Sequence, residues 1–315
     1  MITFTEPQKT RIAAMVRENY EDSSFYDPDP KVRSQPKYAI SIDMGTADIS
    51  NVFNGKYDLL GPKKWLKLAR IVGFNSHETE EWRIAETKVK TYLDGQLNAC
   101  KEMALFRMFV DDAGIGKTTT CKAFKRANKN TYYIDCSTAP NKGGFIRALG
   151  RAVGSGSDGK LNDVLEDAIY ALQQSEKPLI ILDEAGDLDQ AALLVVKRMY
   201  NALEGCCGIY MVGADGLRSK IKRGIANQKN GFVEIFSRFG KRYNWILGKE
   251  NNDQKQPLMD GVRADLIAMA TQIAIENGIT DENDLQKIIK SLRSENAFGD
   301  MRRVKTEVCK LKQAA

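Results

Sequence analysis

The chain has 315 residues, with 47 Lys and Arg against 41 Asp and Glu for a formal charge of +6. That length can bury a full core plus one or two smaller units, and the basic excess suits a polyanionic partner without selecting one. Six cysteines without CxxC spacing and a single histidine, His77, argue against a Cys/His metal cluster and a His-dependent triad, and no apolar run nears the ~20 residues that span a bilayer.

The start of the chain lacks the apolar core of a signal peptide, so a soluble, cytoplasmic protein with buried, reduced thiols is expected. Three regions separate by pattern: residues 1–75, 76–250 and 251–315. The first informative stretch is 39–55, Ala-Ile-Ser-Ile-Asp-Met-Gly-Thr-Ala-Asp-Ile-Ser-Asn-Val-Phe-Asn-Gly. It resembles the helix-turn-helix of phage-repressor-like proteins. Ala39 falls where the first helix packs closely, Ile49 and Val52 bury the second, and Asp43 takes a turn position usually held by glycine, which Asp tolerates. Residues 62–72, with Trp65, Leu66, Leu68, Ala69 and Val72 apolar, read as a supporting helix. The resemblance places the second helix in a major groove, with Thr46, Ala47, Asp48, Ser50 and Asn51 towards DNA and Lys56, Lys63 and Lys64 on phosphates. Asp48 is an awkward charge for that face, and a helical bundle used for protein contact is the alternative. The polar stretch 75–80, which carries His77, reads as a linker.

In the middle region an apolar run at 104–110 leads directly into residues 111–118, Asp-Asp-Ala-Gly-Ile-Gly-Lys-Thr. A strand feeding a glycine turn that opens a helix aims backbone N–H groups at one spot, where the helix dipole favours an anion. This is the pattern of a Walker A phosphate loop. Asp112, Ala113, Gly114, Ile115, Gly116, Lys117, Thr118 and Thr119 are its nucleotide-binding candidates, with Lys117 on the β- and γ-phosphates and Thr118 on Mg²⁺. Asp111 stands where glycine is usual and brings a negative charge near the rim of an anion site. Downstream, residues 178–184, Pro-Leu-Ile-Ile-Leu-Asp-Glu, read as a strand buried on both faces that ends in two carboxylates. Asp183 can hold Mg²⁺ through water and Glu184 can orient the attacking water as general base; the plainer reading has both acids capping a helix that begins near Leu188.

Strand-like runs at 104–110, 131–136, 179–183, 208–213 and 243–247 alternate with helical patterns. This predicts an α/β fold with a parallel sheet and helices on both faces. Ala192, Val195, Val196, Met199 and Leu203 make the apolar stripe of a helix over 188–204. A polar stretch at 248–257 marks the second boundary. Beyond it, periodicities at 262–277, 281–293 and 299–313 predict a small helical lid.

These motifs resemble the AAA+ ATPase superfamily. By that resemblance residues 208–215 carry the sensor-1 strand, with Ala214 or Asp215 at its tip. Residues 236–240, Phe-Ser-Arg-Phe-Gly, carry the arginine finger, Arg238 or in its place Arg242, acting on a neighbouring subunit's γ-phosphate as a fixed charge. In 299–303 Arg302 matches the sensor-2 arginine, with Arg303 turned about 100° away. A helix-turn-helix followed by an AAA+ module is similar to the target-selecting ATPases of transposons, the family of the phage Mu transposition protein B. That similarity implies ATP- and Mg²⁺-dependent assembly of a homo-oligomeric ring or filament on duplex DNA, which then recruits a transposase. The basic run at 217–224, with Arg218, Lys220, Lys222 and Arg223, is a candidate DNA surface, as are Lys142 and Arg147. A helicase-loader or replication-initiation ATPase, and a nucleotide-responsive transcriptional regulator, are the competing functions.

Overall fold

The computed structural model describes residues 3–31, 33–74, 82–247, 260–292 and 299–314. His77 and the polar boundary at 248–257 fall outside the described residues. The chain begins with four helices, α1 (Glu6–Glu21), α2 (Gln35–Ser41), α3 (Thr46–Phe53) and α4 (Pro62–Ile71). They share a core built around Ile12, Val16, Tyr38, Ile49, Trp65 and Leu68. Asp43 adopts the left-handed conformation between α2 and α3 (φ 54°) and is ion-paired with Lys67 at 2.6 Å. Asp48 lies in the first turn of α3, where the dipole favours an acid, and pairs with Lys64 at 2.7 Å. Lys64, expected on phosphate, is therefore occupied within the bundle.

The rest of the chain surrounds one parallel sheet. Its helices and strands follow as α5 (Lys88–Met103), β1 (Phe106–Val110), α6 (Lys117–Ala127), β2 (Thr131–Asp135), α7 (Lys142–Val153), α8 (Leu161–Gln173), β3 (Leu179–Asp183), α9 (Gln190–Leu203), β4 (Gly208–Gly213), α10 (Asp215–Ala226), α11 (Phe232–Arg238) and β5 (Tyr243–Asn244). The sheet order is β2-β3-β4-β1-β5. All five expected runs form strands, three of them shorter, with β2 ending one residue early at Asp135. Ala104 turns left-handed to end α5, so β1 starts at Phe106, and β5 keeps two residues. Every residue of β3 and β4 is buried, as an interior parallel sheet requires. β4 pairs with both β1 and β3, so one strand separates the glycine loop from the two carboxylates.

Two apolar cores lie on the two faces of the sheet. One gathers side chains of α7, α8, α9, α10 and α11, including Phe145, Leu165, Val196, Leu217 and Ile235. The stripe predicted for α9 is buried throughout, and Asp189, not Asp183 or Glu184, caps that helix by accepting a hydrogen bond from the Ala192 N–H at 2.7 Å. The other core joins α5 and α6 to three C-terminal helices, α12 (Asp260–Glu276), α13 (Glu282–Leu292) and α14 (Met301–Ala314), through Leu93, Leu97, Phe109, Met269, Ile288 and Val304. The expected lid thus packs into the same core as one sheet face. Each fully buried leucine there contributes about 1.5–3 kcal/mol. Four cysteines are buried as expected, whereas Cys206 is half-buried and Cys309, on the outer face of α14, is exposed. Among the described residues no helix is long and apolar enough to cross a membrane.

Candidate active site

The turn between β1 and α6 needs left-handed backbone at Gly114 (φ 82°) and Gly116 (φ 99°), which glycine adopts without steric cost. Gly116 is the N-cap of α6, so Lys117 and Thr118 open the helix. Lys117 is buried and its Nζ donates to the carbonyls of Asp111 (2.8 Å) and Asp112 (2.6 Å). The loop holds its own cation in place. Burial lowers the Lys117 pKa, against the pull of Asp111, Glu184, Asp183 and Asp112.

Asp111 does not face the anion position. It is 2 % exposed, and its carboxylate turns inward to accept the backbone N–H groups of Ile246 (2.7 Å), Leu247 (2.9 Å) and Asp112 (2.8 Å). The expectation of a negative charge at the rim is corrected by this geometry. The Asp111 side chain ties the chain beyond β5 to the loop and is paired with donors that neutral backbone supplies.

At the end of β3, Asp183 is 1 % exposed and accepts the Tyr133 hydroxyl at 2.8 Å and the Glu184 N–H at 3.0 Å. The next residue, Glu184, takes left-handed backbone (φ 49°), a conformation that costs a non-glycine residue about 1 kcal/mol. Burial raises the Glu184 pKa and the neighbouring Asp183 charge raises it further, with Lys117 acting in the opposite sense.

A cavity of about 210 Å³ opens over the loop. Ala113, Gly114, Ile115, Gly116, Lys117, Thr118, Thr119, Glu184 and Arg302 all line it, which unites three separate sequence motifs. Asp112 and the buried Asp183 do not line it. Ala214 does, while Asp215 is exposed and points to Arg218 at 4.0 Å, so the sensor-1 position presents no polar side chain to the cavity. Arg302 is exposed at the start of α14, whereas Arg303 donates to the Ser291 carbonyl of α13 at 3.2 Å. The α14 terminus is joined to the loop directly, because the Met301 N–H donates to the Gly114 carbonyl at 2.9 Å.

The opposite wall was not anticipated from sequence. It is the strip from Trp82 to Ala85 that precedes α5, with Lys305 set 5.2 Å from the Trp82 ring centroid. Asn277, at the end of α12, holds that strip by accepting the Arg83 N–H (2.9 Å) and donating to the Arg83 carbonyl (3.0 Å). A large aromatic inside the polar stretch around it was the available signal. Losing two buried hydrogen bonds in Asn277→Ala is expected to weaken nucleotide binding about threefold to tenfold, with turnover at saturation unchanged. A steady-state titration that leaves KM unmoved would remove Asn277 from this role.

The remaining candidates lie elsewhere. Arg238 stacks 5.0 Å from the Tyr200 ring centroid and donates to Asn201 at 2.7 Å, so it is held against α9; Arg242 is exposed. Arg218 is 15 % exposed, lies over the Tyr243 ring and donates to the Val110 carbonyl at 3.3 Å. Lys220 donates to the Leu188 carbonyl at 2.8 Å, and Arg147 to the carbonyls of Ser157 and Gly159. These three residues brace the fold, which corrects their reading as parts of an open DNA surface. Lys142, Lys222 and Arg223 are exposed. On α3, Thr46 is exposed, and Ser50 and Asn51 are half-buried, with the Ser50 hydroxyl accepting from Asn54.

Fold and site together define an α/β P-loop ATPase class. Residues 104–221 match the family model of an AAA domain. Among solved structures the chain is similar to the Aeropyrum pernix ORC1 protein in complex with DNA, with a TM-score of 0.51 and 13 % identity, over 74 % of this chain and 62 % of that one. The chain thus spans less than two thirds of that protein's length, and at this identity the likeness is one of fold. No curated protein matches the chain.

Proposed function

We propose that the chain binds and hydrolyses ATP in this cavity and couples nucleotide state to self-assembly on duplex DNA, delivering that DNA to a transposase. The observation that carries the ATPase reading is the meeting of Lys117, Thr118, Glu184 and Arg302 on one cavity beside the buried Asp183. The residues fit a triphosphate with Mg²⁺. The Lys117 ammonium is engaged by carbonyls of its own loop and can exchange them for phosphate oxygens. Thr118 and Asp183 would hold the ion, which when bound neutralises charge on the phosphates. Glu184 orients and deprotonates water, and Arg302 contributes a cation from the α14 side. Completion of the site by an arginine of a second copy, with Arg242 the exposed candidate, would make assembly and nucleotide binding stabilise one another.

The DNA part rests on the +6 charge, the exposed Lys142, Lys222 and Arg223, and the α2–turn–α3 pair with Thr46 on its outer surface. The transposase part rests on the similarity of the motif combination to target-selecting ATPases. A second reading, a replication-initiation ATPase, is favoured by the fold likeness to a DNA-bound ORC1 protein. Sedimentation with random-sequence duplex DNA, with and without ATP, separates the two. Large ATP-dependent assemblies indifferent to sequence are expected; small complexes confined to particular sequences would favour initiation, and material that stays monomeric with both ligands would reject assembly.

A further inference from the structure

A second cavity, of about 280 Å³, lies at the seam between the N-terminal helices and the sheet domain. From the bundle side Ser23, Tyr38 and Ser41 line it, and from the other side Lys122, Lys125 and Arg126 of α6 together with Thr131 and Tyr133 of β2. Among the described residues no carboxylate lines it. Lys125 is half-buried, and among the described residues its Nζ makes no hydrogen bond or ion pair. Burial lowers its pKa and the Arg126 charge lowers it further, with Asp22 the opposing charge that acts on it. The Thr131 hydroxyl is fully buried and has no hydrogen-bond partner among the described residues. A partly desolvated cation and an unpaired hydroxyl are each costly to keep unless something pairs with them. Complementing the C-terminal dipole of α6 accounts for the exposed Arg126, but not for a lysine turned into a cavity between domains.

We propose that this seam cavity is a second anion site, separate from the glycine loop, which takes a phosphoryl or phosphodiester group between Lys125, Arg126 and the Thr131 hydroxyl. The inference is independent of the ATPase reading. Its volume admits a small phosphorylated molecule or one backbone phosphate, and lysine with arginine supplies charge-assisted donors for either. The site has a built-in reporter. Tyr133 lines the cavity, carries Lys122 5.5 Å from its ring centroid, and donates to Asp183 at the other end of the same side chain. An anion that draws Lys122 away from the ring acts on the residue bonded to Asp183.

Calorimetric titration with inorganic pyrophosphate tests this on the full chain. Wild type is expected to show two classes of site, and Lys117→Ala only the seam site. Lys125→Met should weaken the seam site about tenfold or more, while Lys125→Arg retains it. Ala152 of α7 also lines the cavity, and Ala152→Phe, which fills it and keeps every charge, should abolish binding there; Arg126→Met, at an exposed position, gives the same readout if either half-buried variant fails to fold. One pyrophosphate class, lost in Lys117→Ala and unaffected by Lys125→Met or Arg126→Met, would overturn the proposal, as would seam binding that survives Ala152→Phe. Random duplex DNA that displaces pyrophosphate from Lys117→Ala identifies a backbone phosphodiester as the ligand, and failure to displace it identifies a free phosphoanion.

Discussion

Glu184→Gln is expected to bind ATP within a few-fold of wild type and to hydrolyse it about 10²- to 10⁴-fold more slowly, the range a positioned general base supplies. Glutamine keeps the volume of the side chain and its place in the cavity but cannot accept a proton. Lys117→Ala should differ in kind, losing binding itself, because the buried ammonium between two loop carbonyls is the cation that the loop itself carries. The pH profile adds an independent check. A base works deprotonated, so turnover falls as pH drops through its pKa. Because burial and Asp183 raise the Glu184 value, the acid limb should lie above the ordinary glutamate range and vanish in Glu184→Gln. Single-turnover rates across a pH series measure both effects, and wild-type hydrolysis in the glutamine variant would take Glu184 out of the reaction.

Asp111→Gly restores the residue usual at the head of such a loop and is nonetheless expected to destabilise the chain by about 2–4 kcal/mol. The carboxylate is buried and accepts three backbone N–H groups, two of them from Ile246 and Leu247. Removing it leaves buried donors unpaired, and the unpaired donor is the costly part of a lost hydrogen bond. Glycine also loosens the backbone at the junction of β1 with the loop. A lower urea midpoint with an unchanged slope is the expected result. Equal stability in the glycine variant would mean that water satisfies those two N–H groups and that Asp111 serves no structural purpose.

Local chemistry in the sequence carried much of the fold. The run Leu-Ile-Ile-Leu-Asp of β3 is continuous and apolar because both faces are covered, and the α9 stripe repeats at the helical period because one face is. Asp111 was misread because its partners lie 135 and 136 residues away, beyond any local pattern. Arg218 stood in a basic run that reads as solvent-facing. Yet it lies three and seven residues before Ile221 and Ile225, on the inward side of α10, where its guanidinium packs on Tyr243. Helix α1 escaped notice because its buried set, Ile12, Ala13, Val16 and Tyr20, contains one small and one polar-tipped side chain and so gives little contrast with its flanks. Thr5 and Gln8, which make a capping box, were the legible sign of its start.

Asp111 secures the strand exit that leads toward α12, and Gly114 receives the first amide of α14. Two ties, one at the strand exit and one at the start of α14, therefore converge on one short turn, three residues apart, while Asn277 and the Lys88–Asp265 pair hold α12 from the other side. A shift of that turn on phosphate binding would act on both ties at once, and α14 would receive it through its first amide.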